Sequence, residues 1–286
     1  MSSVAVSSDL LGSFKFGTGN WDPEHRFETS WLFPPYVLFA LRLLMSLYAF
    51  ITLLFNIGYQ CANIDLGGCE ASRREFSYFT VLTYWGLAFY MLVASIHTFT
   101  YARYSMPLLD RFPRPLQALH ALYYSTVTTF PFLVTIVYWG VLYGYGSAWF
   151  PTVYGAWTNV SQHALNSFYA LFEIFLTSVG PQPWIHALWL IVLMALYLAL
   201  AYVTKATKGF YVYPFLDPEK TGSLVAAYIF GIAAATLVIY VIVKSIIWVR
   251  CWLTEEKLGW RGKFAKFPPG NLQEIELGDI NGAGIK

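Results

Sequence analysis

Six apolar runs constrain this chain more than any other feature: Tyr36–Gly58, Phe76–Tyr101, Leu119–Tyr143, Trp157–Ser178, Trp184–Val203 and Ser223–Val249. Each is about 20 residues or longer, enough to cross a hydrocarbon core of ~30 Å. In lipid every backbone N–H and C=O must find a partner within the protein, which a helix supplies and an open strand does not. The runs therefore predict an all-α, polytopic integral membrane protein with six transmembrane helices. Three parts follow: an N-terminal tail over 1–35, a membrane domain over 36–250 and a C-terminal tail over 251–286. The first part is expected to be loosely ordered, closing at Trp31, Phe33 and the Pro34-Pro35 pair near a membrane surface.

Composition agrees. Charged residues make up 12% of the chain, against about 25% in a soluble domain. The aromatic share of 19% suits a chain with many interfacial Trp and Tyr residues. A net charge of +2, with no basic patch interleaved with aromatics, argues against a nucleic-acid partner. The polar start, with Asp9, Asp22, Glu24 and Glu28, is unlike a cleavable signal peptide, so the first span is expected to direct insertion.

Six spans put both termini on one side. Lys15, Arg26, Arg103, Arg111, Arg114, Arg250 and Lys257 share that side, against Arg73, Arg74, Lys205, Lys208 and Lys220 on the other. The positive-inside rule predicts both termini in the cytosol of an endoplasmic reticulum or plasma-membrane protein. Arg42 and Lys244, near helix ends on the cytosolic side, are expected to snorkel. Cys61 and Cys69 fall in the first lumenal or exoplasmic loop, where they form a disulfide or stay as two thiols. Cys251 fits a weak palmitoylation pattern, and Asn159-Val160-Ser161 is a glycosylation sequon too close to the membrane to be used.

The fourth run carries the wrong residues for plain lipid contact. On a helix, Asn159, His163, Asn166 and Glu173 form one polar stripe. Counting from the lumenal side, Thr83 in the second span lies ~10 Å deep and His163 ~9 Å deep. Matching depth is compatible with contact between them. A membrane threonine also commonly bonds back to a carbonyl one turn earlier, here near Phe79, and needs no further role. His97, His120 and His186 cluster towards the cytosolic side, which raises a haem or metal oxidoreductase as an alternative. No metal-ligand spacing accompanies them, and neither a metal nor a cofactor is expected. A transporter or channel using the same stripe is a second alternative.

Several short pieces are similar to the androgen-induced protein and ADTRP family. They are Val81-Leu82-Thr83, Tyr138-Trp139 followed by Tyr143 and Pro151, Trp157-x-Asn159-x-x-x-His163 running to Glu173, and Tyr211-Val212-Tyr213-Pro214-Phe215-Leu216. The resemblance covers about residues 76 to 216. It departs from the family at Tyr145-Gly146-Ser147, where an acidic-basic cluster is usual, and at Val160, where a second histidine is common. The resemblance implies a six-span membrane hydrolase of fatty acid esters of hydroxy fatty acids, with Thr83 as nucleophile and His163 as the essential histidine. Its partners would be a lipid substrate and the bilayer, with the active site in the lumenal or exoplasmic leaflet. Asn159 and Asn166, one turn either side of His163, would orient it or stabilise an oxyanion. Arg73, Arg74, Lys205 and Lys208 would meet the free carboxylate of the substrate, and Tyr211 and Tyr213 are candidates for holding the histidine. Glu173 lies ~15 Å along the helix from His163, too far to be its carboxylate partner.

Overall fold

A computed structural model describes residues 21–144 and 150–265. The first helix, α1 (Pro35–Ala62), opens on a proline, which suits the first helical position because its missing N–H would have no intrahelical acceptor. A short α2 (Gly68–Glu75) follows, then α3 (Phe79–Tyr104) and α4 (Arg114–Val137). A π-turn at Tyr138–Leu142 ends α4. The chain continues through α5 (Val153–Val160), a second π-turn at Ser161–Leu165 and α6 (Asn166–Leu176). It ends with α7 (Ile185–Lys208), a small α8 (Pro218–Thr221), α9 (Leu224–Cys251) and a third π-turn at Trp252–Lys257.

Five of these helices, α1, α3, α4, α7 and α9, are long and apolar enough to cross a membrane. The chain is thus an all-α, multi-pass membrane protein. The fourth run of the sequence is the interrupted α5–π-turn–α6 segment, whose polar stripe lowers its hydropathy. The order is a bundle with α3 and α4 at its centre, α1 along α3, and α6 along α4. Helices α7 and α9 are peripheral and bury much less of their surface. The core is rich in aromatics: Tyr84, Tyr90, Tyr101 and Tyr124 are all fully buried.

Polar groups hold the apolar helices together. Arg42 on α1 and Glu173 on α6 are both fully buried and paired through two bonds, Nε to Oε1 at 2.8 Å and Nη2 to Oε2 at 2.7 Å. The remaining Arg42 nitrogen donates to Thr98 Oγ1 at 2.7 Å and to the Phe27 carbonyl at 2.8 Å. Snorkelling is therefore the wrong description of Arg42: its partners draw it inward. Lys244 is half-buried and reaches the Gln182 carbonyl in the loop before α7, with its ammonium 4.9 Å from the Trp184 ring. A second knot lies at Pro131, inside α4. Asn166 Nδ2 donates to the Pro131 carbonyl at 3.3 Å, Ser167 Oγ does so at 3.2 Å, and Thr135 Oγ1 reaches Asn166 Oδ1 at 3.1 Å.

The stretch from Trp21 to Pro34 is packed against the bundle rather than loose. Phe27 is buried, edge-on to His120 and Tyr124. The last carbonyls of α6 have no intrahelical donor, and this segment supplies them. Trp31 Nε1 reaches Phe175 O at 2.6 Å and Ser30 Oγ bonds Leu176 O, while Arg250 Nη1 takes Ile174 O at 2.7 Å. Arg26 pairs with Glu255, Glu24 with Arg261, and Trp31 stacks on Trp260 at 5.6 Å. The start of α1 and the end of α9 thus share one end of the bundle. Cys251 lies in this joint, with Arg26 and Arg250 against its sulfur. At the other end Cys61 and Cys69 form a disulfide. The remainder of both tails and Tyr145-Gly146-Ser147 lie outside the described residues.

Glu173→Leu leaves the Arg42 charge buried and unpaired, a defect of about 3–5 kcal/mol. Thermal unfolding in detergent is expected to show a large loss for that variant, with most of it recovered in Arg42→Met/Glu173→Leu. The terminal joint is expected to respond to pH. Burial pushes the Asp22 carboxyl from 3.8 up to about 6. Between those values the folded joint holds more protons than the open one, so its stability falls as pH rises through that window. Hydrogen exchange over residues 21–33 should therefore quicken across it beyond the intrinsic rate, and Asp22→Asn should weaken that dependence, with the buried Glu28 carboxyl, also held above the usual range, supplying what is left.

Candidate functional site

The end of the bundle opposite the joint of Trp21–Pro34 with the end of α9 holds a polar cavity of about 600 Å³. Its walls come from α1 (Asn56, Gln60), α2 (Arg74, Glu75), the start of α3 (Thr80, Val81), the α4 π-turn (Tyr138, Leu142), α5 with its π-turn (Asn159, His163) and the loop after α7 (Tyr213). Glu75 accepts from Asn56 and Gln60, and Tyr154 donates to Asn56 Oδ1, so α1, α2 and α5 are tied together at the rim. An apolar cavity of about 290 Å³ lies beside it, between α3, α4, α7 and α9. Thr80, Tyr138, Leu142 and Tyr213 border both spaces.

His163 is set in place by its own turn. Its Nδ1 donates to the Asn159 carbonyl at 2.9 Å, which leaves Nε2 as the ring's acceptor. The ring stacks on Tyr138 with centroids 3.5 Å apart and planes 15° apart. Tyr138 OH donates to Asn159 Oδ1 at 2.7 Å, and Trp139 Nε1 to the His163 carbonyl at 3.0 Å. Both helices carry a π-turn here, at Tyr138–Leu142 and Ser161–Leu165. Such turns displace the main-chain hydrogen-bond register by one residue and recur at functional sites. The sequence signal that locates His163, a polar stripe on an apolar helix, correctly finds a cavity residue. Its orienting partner, a backbone carbonyl, leaves no trace in residue types.

The two threonines in the first turns of α3, Thr80 and Thr83, part company. Thr83 Oγ1 donates back to the Phe79 carbonyl at 2.9 Å and to that of Thr80 at 3.0 Å. It borders a third cavity, against Leu193, Leu196 and Leu200 of α7, which contains neither His163 nor Asn159. The back-bonded alternative for Thr83 describes its position. Thr80, three residues earlier and most of a turn round the helix, borders the His163 cavity instead. Depth counting alone could not separate them, because residues three apart differ by only ~4.5 Å in height.

Thr80 is also the second residue of α3, in the turn whose N–H groups lack intrahelical acceptors and carry the positive end of the helix dipole. The Phe79 N–H meets the hydroxyls of Tyr197 and Tyr213, each at 3.1 Å. Tyr197 OH donates onward to the Ser77 carbonyl at 3.0 Å. Tyr213 borders the same cavity as Thr80, and burial raises its phenol above the ordinary range.

Other residues of the sequence reading fall on and off the site. Asn159 lines the polar cavity, but Asn166 is buried in the Pro131 knot and does not. Arg74 reaches the cavity, sitting 5.4 Å from the Phe210 ring and 3.5 Å from Glu70. Arg73 points outward with Glu70 at 3.9 Å. Lys205 bonds the Gly209 carbonyl and covers the Tyr211 ring, and Lys208 is exposed. Tyr211 packs near Tyr202, away from the cavity. Of the basic set only Arg74 is in the cavity wall, because α2 turns just one of its faces inward.

The histidines nearer the terminal end are dispersed into packing. His97 and His120 meet edge to face at 5.2 Å, and His186 Nδ1 bonds Ser125 Oγ at 2.7 Å. Among the described residues no group of three or more His, Cys, Asp or Glu side chains is arranged to hold a metal ion.

Comparison with known proteins gives one match. No curated protein and no solved structure matches the chain. The family model described as FAR-17a/AIG1-like protein matches residues 69–247, which takes in α2 to most of α9 and every cavity wall except that from α1. On that match, the chain belongs to the FAR-17a/AIG1-like family.

Proposed function

We propose that the protein is an intramembrane lipid ester hydrolase, acting on fatty acid esters of hydroxy fatty acids or closely related esters, with Thr80 as nucleophile and His163 as base. One observation carries the reading: Thr80 borders both the polar cavity that contains His163 and the apolar cavity beside it. Membership of the FAR-17a/AIG1-like family is compatible with a membrane hydrolase. The resemblance of the sequence to membrane hydrolases that use a threonine and a histidine agrees with the reaction and with His163, while it assigns the threonine to Thr83 rather than Thr80.

The chemistry follows from the groups at hand. A threonine hydroxyl attacks an ester only when a base removes its proton. With Nδ1 committed to the Asn159 carbonyl, Nε2 of His163 is the nitrogen that accepts it. Thr80 Oγ1 bonds to the carbonyl carbon, and negative charge gathers on the carbonyl oxygen. The first N–H groups of α3 and the Tyr213 hydroxyl are the donors suited to that charge. Collapse breaks the bond to the leaving alcohol, which takes the proton from Nε2 and departs. Water from the polar cavity then gives its proton to His163, adds to the acyl-threonine and releases the fatty acid. The proton returns to Thr80 Oγ1. A polar cavity on the lumenal or exoplasmic side would supply that water, and Arg74 at its wall suits an anionic headgroup.

Thr80→Ala and His163→Ala are each expected to abolish ester turnover by purified, folded protein, and Thr83→Ala to leave it within about twofold of wild type, since its half-buried hydroxyl is spent on the carbonyls of its own helix. A fluorophosphonate probe should label Thr80 in the wild type and not in Thr80→Ala. Full turnover by Thr80→Ala would end this assignment. Loss of turnover in Thr83→Ala, with labelling of Thr83, would return the role to that residue. Tyr213→Phe is expected to lower kcat by ~10–100-fold with little change in KM, the pattern for a donor used mainly in the transition state.

A further inference from the structure

The apolar cavity is unlike its polar neighbour in what surrounds it. Apart from Thr80 and the tyrosines at its top, its walls are aliphatic and aromatic. It runs from Leu142 beside Thr80 down to Leu133, nine residues along α4, or about 13 Å. Ile191 on α7 and Ala233 on α9 lie at its deep end. Helices α7 and α9 are the least buried of the five long helices, and the cavity lies between them. Phe230, in its wall, is 74% exposed towards the outside of the bundle.

A closed apolar void inside a bundle would be a packing defect, costing contact energy in proportion to its size. One that is lined almost wholly by apolar side chains, lies between the two least buried helices with Phe230 of its wall exposed, and is bordered by a candidate nucleophile has a natural occupant. We propose that this slot is the acyl-chain site. It admits the unbranched acyl arm of an ester sideways from the bilayer between α7 and α9, past Phe230, and places its carbonyl at Thr80. The alcohol arm then lies in the polar cavity, with any carboxylate near Arg74. This division rests on the hydrolase reading and extends it. It assigns the two arms to different spaces and makes slot depth, set at Ile191 and Ala233, the determinant of acyl length.

The division accounts for the polarity of each space. The acyl product is apolar along its length and can leave by the route it entered. The alcohol arm needs a wet space, since water must replace it for the second half of the reaction. A single large apolar cavity would exclude that water, and a single polar one would not hold the chain.

The test uses full-length protein in detergent micelles and a series of chromogenic butyrate, octanoate, laurate and palmitate esters. In the wild type, turnover is expected to favour the longer chains. Ala233→Trp fills the deep end and should lower the ratio of laurate to butyrate turnover by at least ~10-fold, the scale on which apolar pockets discriminate chain length. Leu196→Trp, bordering the Thr83 cavity, should leave that ratio unchanged. A palmitate analogue with a diazirine at mid-chain should crosslink to the Ile229–Ala233 stretch, competed by palmitate, and Ala233→Trp should suppress the crosslink. Should Ala233→Trp fail to fold, as judged by thermal shift, Ala195→Trp at the same cavity takes its place. An unchanged chain-length ratio in the folded variant, or a crosslink elsewhere that palmitate does compete, would overturn the slot. Competed crosslinking at Ile229–Ala233 in a wild-type protein that turns over no ester would support the slot and defeat the hydrolase reading instead.

Discussion

The buried ion pair between Arg42 and Glu173 is the contact on which the arrangement of this bundle depends. Two charges taken out of water are tolerable only with near-complete hydrogen bonding. Here Thr98 and the Phe27 carbonyl complete the guanidinium's set. The pair thereby fixes three parts at once: α1, α6 and the segment preceding α1. It also sets the height of α6. Since α6 continues directly from the π-turn bearing His163, a shift of α6 along its axis would move the imidazole by the same amount. Van der Waals contacts between smooth apolar helices allow sliding; a bidentate pair does not.

A second constraint is the bonding of side chains to backbone carbonyls of other elements. Pro131 sits inside α4, and its buried carbonyl also accepts from Asn166 and Ser167 at the start of α6. The C-terminus of α6 is capped by Trp31, Ser30 and Arg250 from outside the helix. Both arrangements lock the interrupted segment from its two ends. Between them, the π-turns of the α4 end and the α5–α6 junction bring Tyr138 flat against His163. The site is thus built where the regular helices stop, and the polar knots on either side hold it rigid.

Much of this was legible from residue types. Long apolar runs demand helices in lipid, so the all-α multi-pass class followed without reference to packing. Polar groups on an apolar helix must face protein or water, so Asn159, His163, Asn166 and Glu173 were bound to point inward, and all four do. Their division into separate contacts was less legible. Glu173 meets a buried cation, Asn166 the Pro131 carbonyl of α4, and His163 a cavity, yet on a helical wheel they form one stripe. The choice between Thr80 and Thr83 was invisible to depth. The two differ in azimuth, and only the positions of neighbouring helices say which azimuth faces the histidine.

What the sequence by itself determined is therefore the character of each segment: which stretches are apolar enough to form membrane helices, and which residues on them must face protein or water. Hydrophobic transfer and backbone satisfaction act locally, so they can be read one residue at a time. The tertiary structure alone decided the pairings. Arg42 is drawn inward by a partner far along the chain, the Trp21–Pro34 stretch is held by helix ends it does not adjoin, and Thr80 meets a cavity assembled from α1, α2, α4, α5 and the loop after α7. Each is a contact between elements distant in sequence. Its energy depends on a relative placement that no single segment encodes.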